Sequence, residues 1–139
     1  MKVFLFFIGR PKDAHANALA QDFLQRASRY TAVTAREIRP ERTDLWGEYP
    51  TARKVLCDPA GKQLNSAAFA KLIANSEMES RDLVFVIGGH EGLPAGWAAR
   101  ADLLLSLSPL TFPHELARAM LAEQIYRAFA TLRGHPYPR

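Results

Sequence analysis

The sequence predicts an α/β fold in which helices cover a mostly parallel sheet. Short apolar runs alternate with longer amphipathic stretches, which is the order that βαβ units produce. Three of the runs, 3–8, 83–87 and 103–107, are almost continuously apolar, as expected for strands that are buried on both faces. The chain has 139 residues, a length that suits one domain, and we expect that domain to span residues 1–139.

Local patterns place the elements of the first third of the chain. Residues 2–8 form the first predicted strand, and a helix is expected over 13–30, with Asp13 as its N-cap. The β-branched residues of 31–38 predict a second strand. The charged stretch 39–49 contains a proline and a glycine, so it indicates a loop or a short helix.

Strand and helix patterns continue to alternate in the rest of the chain. A third strand over 53–57 is expected to stop at 58–61, because the sequence Asp-Pro-Ala-Gly is typical of a turn. Thr111 is a suitable N-cap for the last helix. The further predicted elements are a helix from Asn65 or Ser66 to Met78, a strand over 83–87, a helix over 93–101, a strand over 103–107 and the last helix over 113–133.

The last predicted helix carries a wide apolar stripe at helical spacing, which we expect to cover the sheet. Gly134 is a suitable terminator, and Pro136 prevents the helix from continuing. The stripe consists of Leu116, Met120, Leu121, Ile125, Ala128, Phe129 and Leu132.

Composition excludes several classes of protein. A hydrophobic content of 48% and a charged content of 23% are typical of a globular domain. The apolar start is too short for a signal peptide, and no stretch is long enough to cross a membrane. The single cysteine, Cys57, excludes an internal disulfide and a cysteine-based zinc cluster. We therefore expect a cytoplasmic protein.

The net charge and the glycine pattern limit the classes of ligand that we expect this protein to bind. The net charge of +4 permits binding to nucleic acid without requiring it. Gly88 and Gly89 follow a buried strand, but neither a dinucleotide-binding fingerprint nor a P-loop is present. A ligand at this turn is therefore not expected to be held by its phosphates. The histidines His90, His114 and His135 lack metal-binding spacing, so we expect no metal site.

Four motifs occur in a fixed order in the last third of the chain. They are GGHEGL at 88–93, LSLSPLTFPH at 105–114, LAEQIYRA at 121–128 and GHPY at 134–137. Together they resemble the RlmH (YbeA-type) family of SPOUT-class RNA methyltransferases. The resemblance implies a C-terminal trefoil knot, a homodimer and S-adenosyl-L-methionine as cofactor. It also implies methyl transfer to N3 of a pseudouridine in the 23S rRNA of the large subunit. The small net charge of one copy favours a large shaped target, so we expect the reaction on assembled ribosomes.

Residue roles follow partly from position and partly from the resemblance. His114 and Arg118 share a face at the start of the last helix and Glu91 flanks the glycine turn, so these three are the catalytic candidates, with His114 and Glu91 as possible proton acceptors. Tyr137, Arg139 and His135 are expected to contact the RNA. The cofactor positions that match the family are Cys57, Gly88, Leu107, Ser108, Pro109, Leu110, Thr111 and Phe112.

One residue departs from the family pattern, and it keeps other functions open. Pro138 stands where the family usually has a histidine. One alternative is therefore a catalytically impaired SPOUT-fold protein that binds RNA or the ribosome. The other is an oligomeric scaffold whose loops bind no ligand.

Overall fold

The computed structural model describes residues 1–137 and confirms the predicted parallel sheet. Its five strands lie in the order β2-β1-β4-β3-β5, and every neighbouring pair is parallel. Their carboxyl ends therefore meet at one edge, where α/β folds form ligand sites. The strands are β1 (Lys2–Ile8), β2 (Ala32–Ile38), β3 (Arg53–Gln63), β4 (Leu83–Ile87) and β5 (Leu103–Ser106).

Helices connect the strands at nearly all the predicted positions. The Asp13 side chain caps the first helix by accepting the amide protons of His15 and Ala16, and Asn65 caps the third. A 3-10 turn covers Pro40–Arg42. The helices are α1 (Ala14–Ala27), α2 (Leu45–Glu48), α3 (Ser66–Met78), α4 (Trp97–Arg100) and α5 (His114–Leu132).

The two faces of the sheet are covered by different kinds of structure. Alternate residues of β1 point to opposite faces, so Leu5 packs with the three long helices α1, α3 and α5. Phe6 lies on the other face, where α2, α4 and aromatic residues cover it. The predicted stripe of α5 is divided: Ile125 and Phe129 are fully buried, whereas Met120 is 41% exposed.

The third strand is longer than predicted, and the expected turn at 58–61 is wrong. β3 continues to Gln63, and its register against β5 shifts between Cys57 and Lys62. The turn-forming residues thus make an irregularity inside a strand. Gly61 is needed there, because a Cβ atom would lie 2.6 Å from the carbonyl oxygen of Leu104.

Two helix predictions also require correction. The expected helix over 93–101 is reduced to α4, because Gly96 takes a left-handed φ of 85° just before Trp97. The last helix begins at His114 with Pro113 as its N-cap and without a side-chain cap, so Thr111 does not cap it. The trefoil knot stays a prediction. In the described part of the chain, no helix has the length and apolarity that crossing a membrane requires.

Candidate functional site

A cavity opens where the carboxyl ends of β3, β4 and β5 meet. Its volume is ≈ 410 Å³, within the range of about 300–1,000 Å³ that is usual for small-molecule sites. All the predicted cofactor residues except Pro109 line it. Two segments that are distant in sequence, the glycine turn after β4 and the loop after β5, thus form one pocket.

The pocket is mainly apolar, and its lining residues within 1–137 include no lysine or arginine. In this described part of the chain, Asp58 is the one carboxylate of the lining, and the other ionisable side chains are Cys57, His90 and His114. Sequence reasoning gave Asp58 only a role in a turn. Its place directly after Cys57, near the carboxyl end of an expected strand, was the signal that could have marked it.

The glycine turn brings main chain close to main chain. A Cβ atom on Gly88 would lie 2.5 Å from the carbonyl carbon of Gly92, and one on Gly89 would lie 2.7 Å from the carbonyl oxygen of Ile8. The amide of Gly92 donates a hydrogen bond of 2.9 Å to the carbonyl of Gly89. Glycine is required at both positions because no side chain fits.

Two serines hold the loop after β5. The Ser106 hydroxyl is buried and donates to the carbonyl of Ser108 at 3.1 Å. The amide of Leu110 donates to the Ser108 hydroxyl oxygen at 2.9 Å. These local bonds fix the main chain of 106–110, so the loop can present backbone groups to a ligand at little entropic cost.

Cys57 lines the pocket but has the character of a packing residue. The thiol is surrounded closely enough that burial raises its pKa to about 12. A thiol with such a pKa is almost entirely protonated at neutral pH, so it is a poor nucleophile. The site therefore offers no cysteine-based covalent chemistry.

Three neighbouring polar residues on the first turns of α5, namely His114, Glu115 and Arg118, lie in different surroundings. His114 lines the pocket. Glu115 accepts hydrogen bonds from the amides of Lys12 and Asp13, at 2.7 and 3.1 Å for one oxygen, and from the Asn17 side chain at 2.8 Å. The bond from Lys12 is the main reason that the pKa of Glu115 falls to about 2, and Asn17 adds to it. Glu115 thus fastens the start of α1 to the start of α5.

Arg118 lies outside the pocket, although it is one helical turn from His114. It is only 3% exposed, and its guanidinium lies 3.5 Å from the centroid of the Phe7 ring. It donates to Asn17, whereas its Nε and Nη2 atoms have no hydrogen-bond partner within residues 1–137. Desolvation lowers the pKa of Arg118. Its position joins α5 to β1 and α1 and does not face the cavity.

Comparison with known proteins decides the family. The family profile described as "Predicted SPOUT methyltransferase" matches residues 1–138. A protein named ribosomal RNA large subunit methyltransferase H from Solibacter usitatus is 70% identical, and the match covers 100% of both chains. The chain belongs to the RlmH family of SPOUT methyltransferases.

Other relatives show the same family and fold. The RlmH protein of Gemmatimonas aurantiaca is 37% identical, with 99% of each chain covered. An AdoMet-bound rRNA methyltransferase from Sinorhizobium meliloti has a TM-score of 0.54 at 11% identity, covering 91% of this chain and 56% of that one. A tRNA methyltransferase from Aquifex aeolicus has a TM-score of 0.59 at 13% identity, covering 100% and 75%. These two structural likenesses concern the fold alone.

Tyr137 of this RlmH chain is held away from the pocket by contacts with α5. The Tyr137 hydroxyl donates to Glu123 at 2.5 Å, and Arg127 donates to the same carboxylate at 2.6 Å. The Tyr137 ring also lies 4.7 Å from that of Tyr126. Desolvation, followed by the bond to Glu123, raises the pKa of Tyr137 to about 12. Glu123 is nine residues beyond His114, or about 13 Å along the helix.

Two further predicted site residues, Glu91 and His135, also lie apart from the pocket. Glu91 flanks the glycine turn but does not line the cavity. His135 is exposed, and its Nδ1 atom accepts the amide proton of Tyr137 at 3.2 Å. Pro138 and Arg139 lie outside the described residues. Across 1–137, no group of three or more histidine, cysteine or acidic side chains is arranged to hold a metal ion.

Proposed function

We propose that this RlmH-family chain is an S-adenosylmethionine-dependent enzyme that methylates N3 of a pseudouridine in 23S rRNA. The observation that carries the proposal is the pocket, in which the residues matching the family's cofactor positions come together from separate segments. The 70% identity to a protein named as a large-subunit rRNA methyltransferase supports the choice of substrate. We propose the assembled ribosomal subunit in the cytoplasm as the place of reaction.

The residues of the pocket fit this cofactor. A site without lysine or arginine suits a ligand that has no phosphate and carries a positive sulfonium, and Asp58 adds a favourable negative charge. The main chain at Gly88 and along 107–112 would hold the adenosyl part. When bound, the cofactor supplies an electrophilic methyl group on its sulfonium sulfur.

The protein must hold the target base beside that methyl group and accept the proton from N3. Most of the rate would come from positioning, because a correctly aligned bimolecular reaction becomes effectively unimolecular. His114 is the preferred proton acceptor, since its imidazole lines the same cavity and a neutral imidazole has one nitrogen free to accept. Glu91 is the second choice because it lies beside the glycine turn.

A homodimer is part of the proposal. Leu116 and Met120 on α5 are 39% and 41% exposed, and they supply apolar surface for a second copy. Tyr137, His135 and Arg139 would then contact the RNA, and the first two lie away from the pocket of their own chain. Arg118 would act as a positioning residue, since its contacts fix the first turns of α5.

Single-turnover methylation of ribosomal subunits that lack the mark, read by mass spectrometry of the RNA, tests the proposal. We expect the wild type to add one methyl group at a pseudouridine. His114→Ala should lower the rate by about 100-fold or more. His15→Ala is the matched control, because His15 lies on α1 and does not line the pocket.

The outcomes separate the alternatives. An unchanged rate in His114→Ala would remove His114 from the mechanism. A wild type that is stabilised against heat by S-adenosylhomocysteine but transfers no methyl group would favour the impaired RNA-binding protein suggested by Pro138. A wild type with neither heat stabilisation nor transfer would favour the scaffold.

A further inference from the structure

Four basic residues follow the first two strands of the sheet. Arg10 and Lys12 come after β1, and Arg39 and Arg42 come after β2. Because all the strands are parallel, these residues and the pocket follow the same edge of the sheet. We call Arg10, Lys12, Arg39 and Arg42 the basic strip.

The basic strip starts directly beside the pocket. Gly89 lines the pocket, and its α-carbon is so close to Ile8 that an added Cβ atom would lie 2.7 Å from the Ile8 carbonyl oxygen. Glu115, which follows the pocket residue His114, holds the amide of Lys12 at 2.7 Å. Two independent contacts therefore connect the pocket with the segment that carries Arg10 and Lys12.

The strip then continues away from the pocket toward the edge strand. Ile8 pairs with Ile38, so the chain leaving β2 lies one strand spacing, about 4.8 Å, from the chain leaving β1. The amide of Arg42 bonds to the carbonyl of Arg39 at 2.9 Å. This bond closes the 3-10 turn and keeps the main chain of Arg39 close to that of Arg42.

The charges of the strip are not neutralised by ion pairs within the described residues. All four side chains are exposed, and the ion pairs found within residues 1–137 belong to other basic residues: Arg26, Arg53, Arg81, Arg127 and Arg133. The acidic neighbours Asp13 and Asp44 accept backbone amide protons at helix starts instead. The strip therefore presents positive charge to an external anion.

We propose that the basic strip binds the phosphate backbone of the RNA strand next to the nucleotide that enters the pocket. This assignment rests on the proposed function. The lining residues within 1–137 include no lysine or arginine, so the positive charge that the described chain offers to phosphates flanking the target base lies outside the pocket. Arginine suits this role because its planar fork pairs with phosphate oxygens in a bidentate manner. The strip has the charge, the exposure and the continuity with the pocket that such a path requires.

A charge-matched pair of variants tests the proposal. The strip variant combines Arg10→Gln, Arg39→Gln and Arg42→Gln. The control variant combines Lys2→Gln, Arg29→Gln and Lys71→Gln, three exposed residues that lie at the opposite edge or on the outer side of α3. Both variants lose three positive charges, so a difference between them reports position and not net charge.

Three measurements compare the variants. They are steady-state kinetics on unmethylated large ribosomal subunits, the salt dependence of binding to those subunits, and the affinity for S-adenosylhomocysteine. For the strip variant we expect KM to rise about tenfold or more at unchanged kcat. We also expect the salt dependence of log Kd to become less steep by about two to three, one for each lost phosphate contact. Affinity for S-adenosylhomocysteine should stay at the wild-type value. The control variant should change KM by less than about threefold, as expected for charges outside the RNA path.

The results distinguish failure of this inference from failure of the proposed function. Wild-type KM and salt slope in the strip variant would overturn the inference, as would equal losses in both variants. Absence of methyl transfer by the wild type would instead overturn the proposed function. The binding measurements would still show whether the basic strip contacts the RNA. Ultraviolet crosslinking identifies the occupant: peptides 9–12 or 39–42 joined to rRNA nucleotides support RNA, and crosslinks to ribosomal protein alone contradict it.

Discussion

Two parts of α5, its first turn and the segment from Glu123 onward, differ in how they serve the site. At the first turn, His114 lines a pocket that is made mostly from main chain and apolar side chains. Nine residues later, Glu123 accepts hydrogen bonds from Arg127 and Tyr137, and these bonds hold Tyr137 against the helix. We call these the pocket end and the tail end.

The difference shows that motifs that follow one another in the sequence need not meet in one pocket of the same chain. The motif at 105–114 lines the pocket, whereas the motifs at 121–128 and 134–137 contact each other through Glu123 and Tyr137. Substitutions at the pocket end should act through the shape of the backbone, so they should change ligand affinity. Substitutions at the tail end should act through removable side-chain bonds, so they should change turnover without changing cofactor affinity. Four substitutions examine this contrast.

The largest effect on cofactor affinity is expected at the glycine turn. Gly88→Ala places a Cβ atom 2.5 Å from the backbone of Gly92, so the turn must move. We expect affinity for S-adenosylhomocysteine to fall by about 100-fold, or about 2.7 kcal/mol. Calorimetry measures the affinity. Gly96→Ala is the control, because it strains a left-handed glycine outside the pocket and should leave affinity intact.

Arg118→Ala should destabilise the protein without lowering its affinity for the cofactor. The change removes the donor to the side-chain oxygen of Asn17 and leaves a gap over the Phe7 ring, which should lower the free energy of unfolding by about 2–4 kcal/mol. Arg118→Met keeps the packing volume and should lose less. Urea unfolding measures both variants. A fully stable Arg118→Ala variant without turnover would instead show direct participation in the reaction.

Tyr137→Phe should separate the tail end from the pocket end. The substitution removes the bond to Glu123 but keeps the aromatic contact with Tyr126. We expect turnover on ribosomal subunits to fall about tenfold, or about 1.4 kcal/mol in the activation barrier. Affinity for S-adenosylhomocysteine should not change. A parallel loss of affinity would mean that the two ends are coupled.

Glu115→Gln should have the smallest effect, and that effect should depend on pH. The pKa of Glu115 is lowered from 4.5 to about 2, so its contribution to stability is present above pH 4.5 and is lost as the pH falls toward 2. The variant should therefore be less stable than the wild type at pH 7, and the two should converge near pH 2. Denaturation at several pH values measures this; a constant difference would contradict it.

The sequence predicted the strands well because burial on both faces leaves an apolar run that needs no tertiary information. β4 matches its predicted bounds of Leu83–Ile87. The continuation of β3 could not be predicted, because Asp-Pro-Ala-Gly is turn chemistry until β5 pairs with the segment beyond it. Local propensity and tertiary pairing disagree there, and tertiary pairing prevails.

The pocket was predictable to the extent that it depends on strand ends. Parallel strands bring Gly88 and Leu107 to one edge, and the structure places both in one cavity. The burial of Arg118 was not predictable, since helical spacing shows which residues share a face but not which element packs on it. The contact between Tyr137 and Glu123 depends on how the chain turns after α5, and no local pattern contains that information.

The bond between Glu115 and the start of α1 has a consequence for folding kinetics. Its partners Lys12 and Glu115 are 103 residues apart in the chain. Such long-range contacts form slowly, because the intervening loop must close first. The amide protons of Lys12 and Asp13 should therefore gain protection from hydrogen exchange only when the C-terminal helix docks, so they would report the last step of refolding.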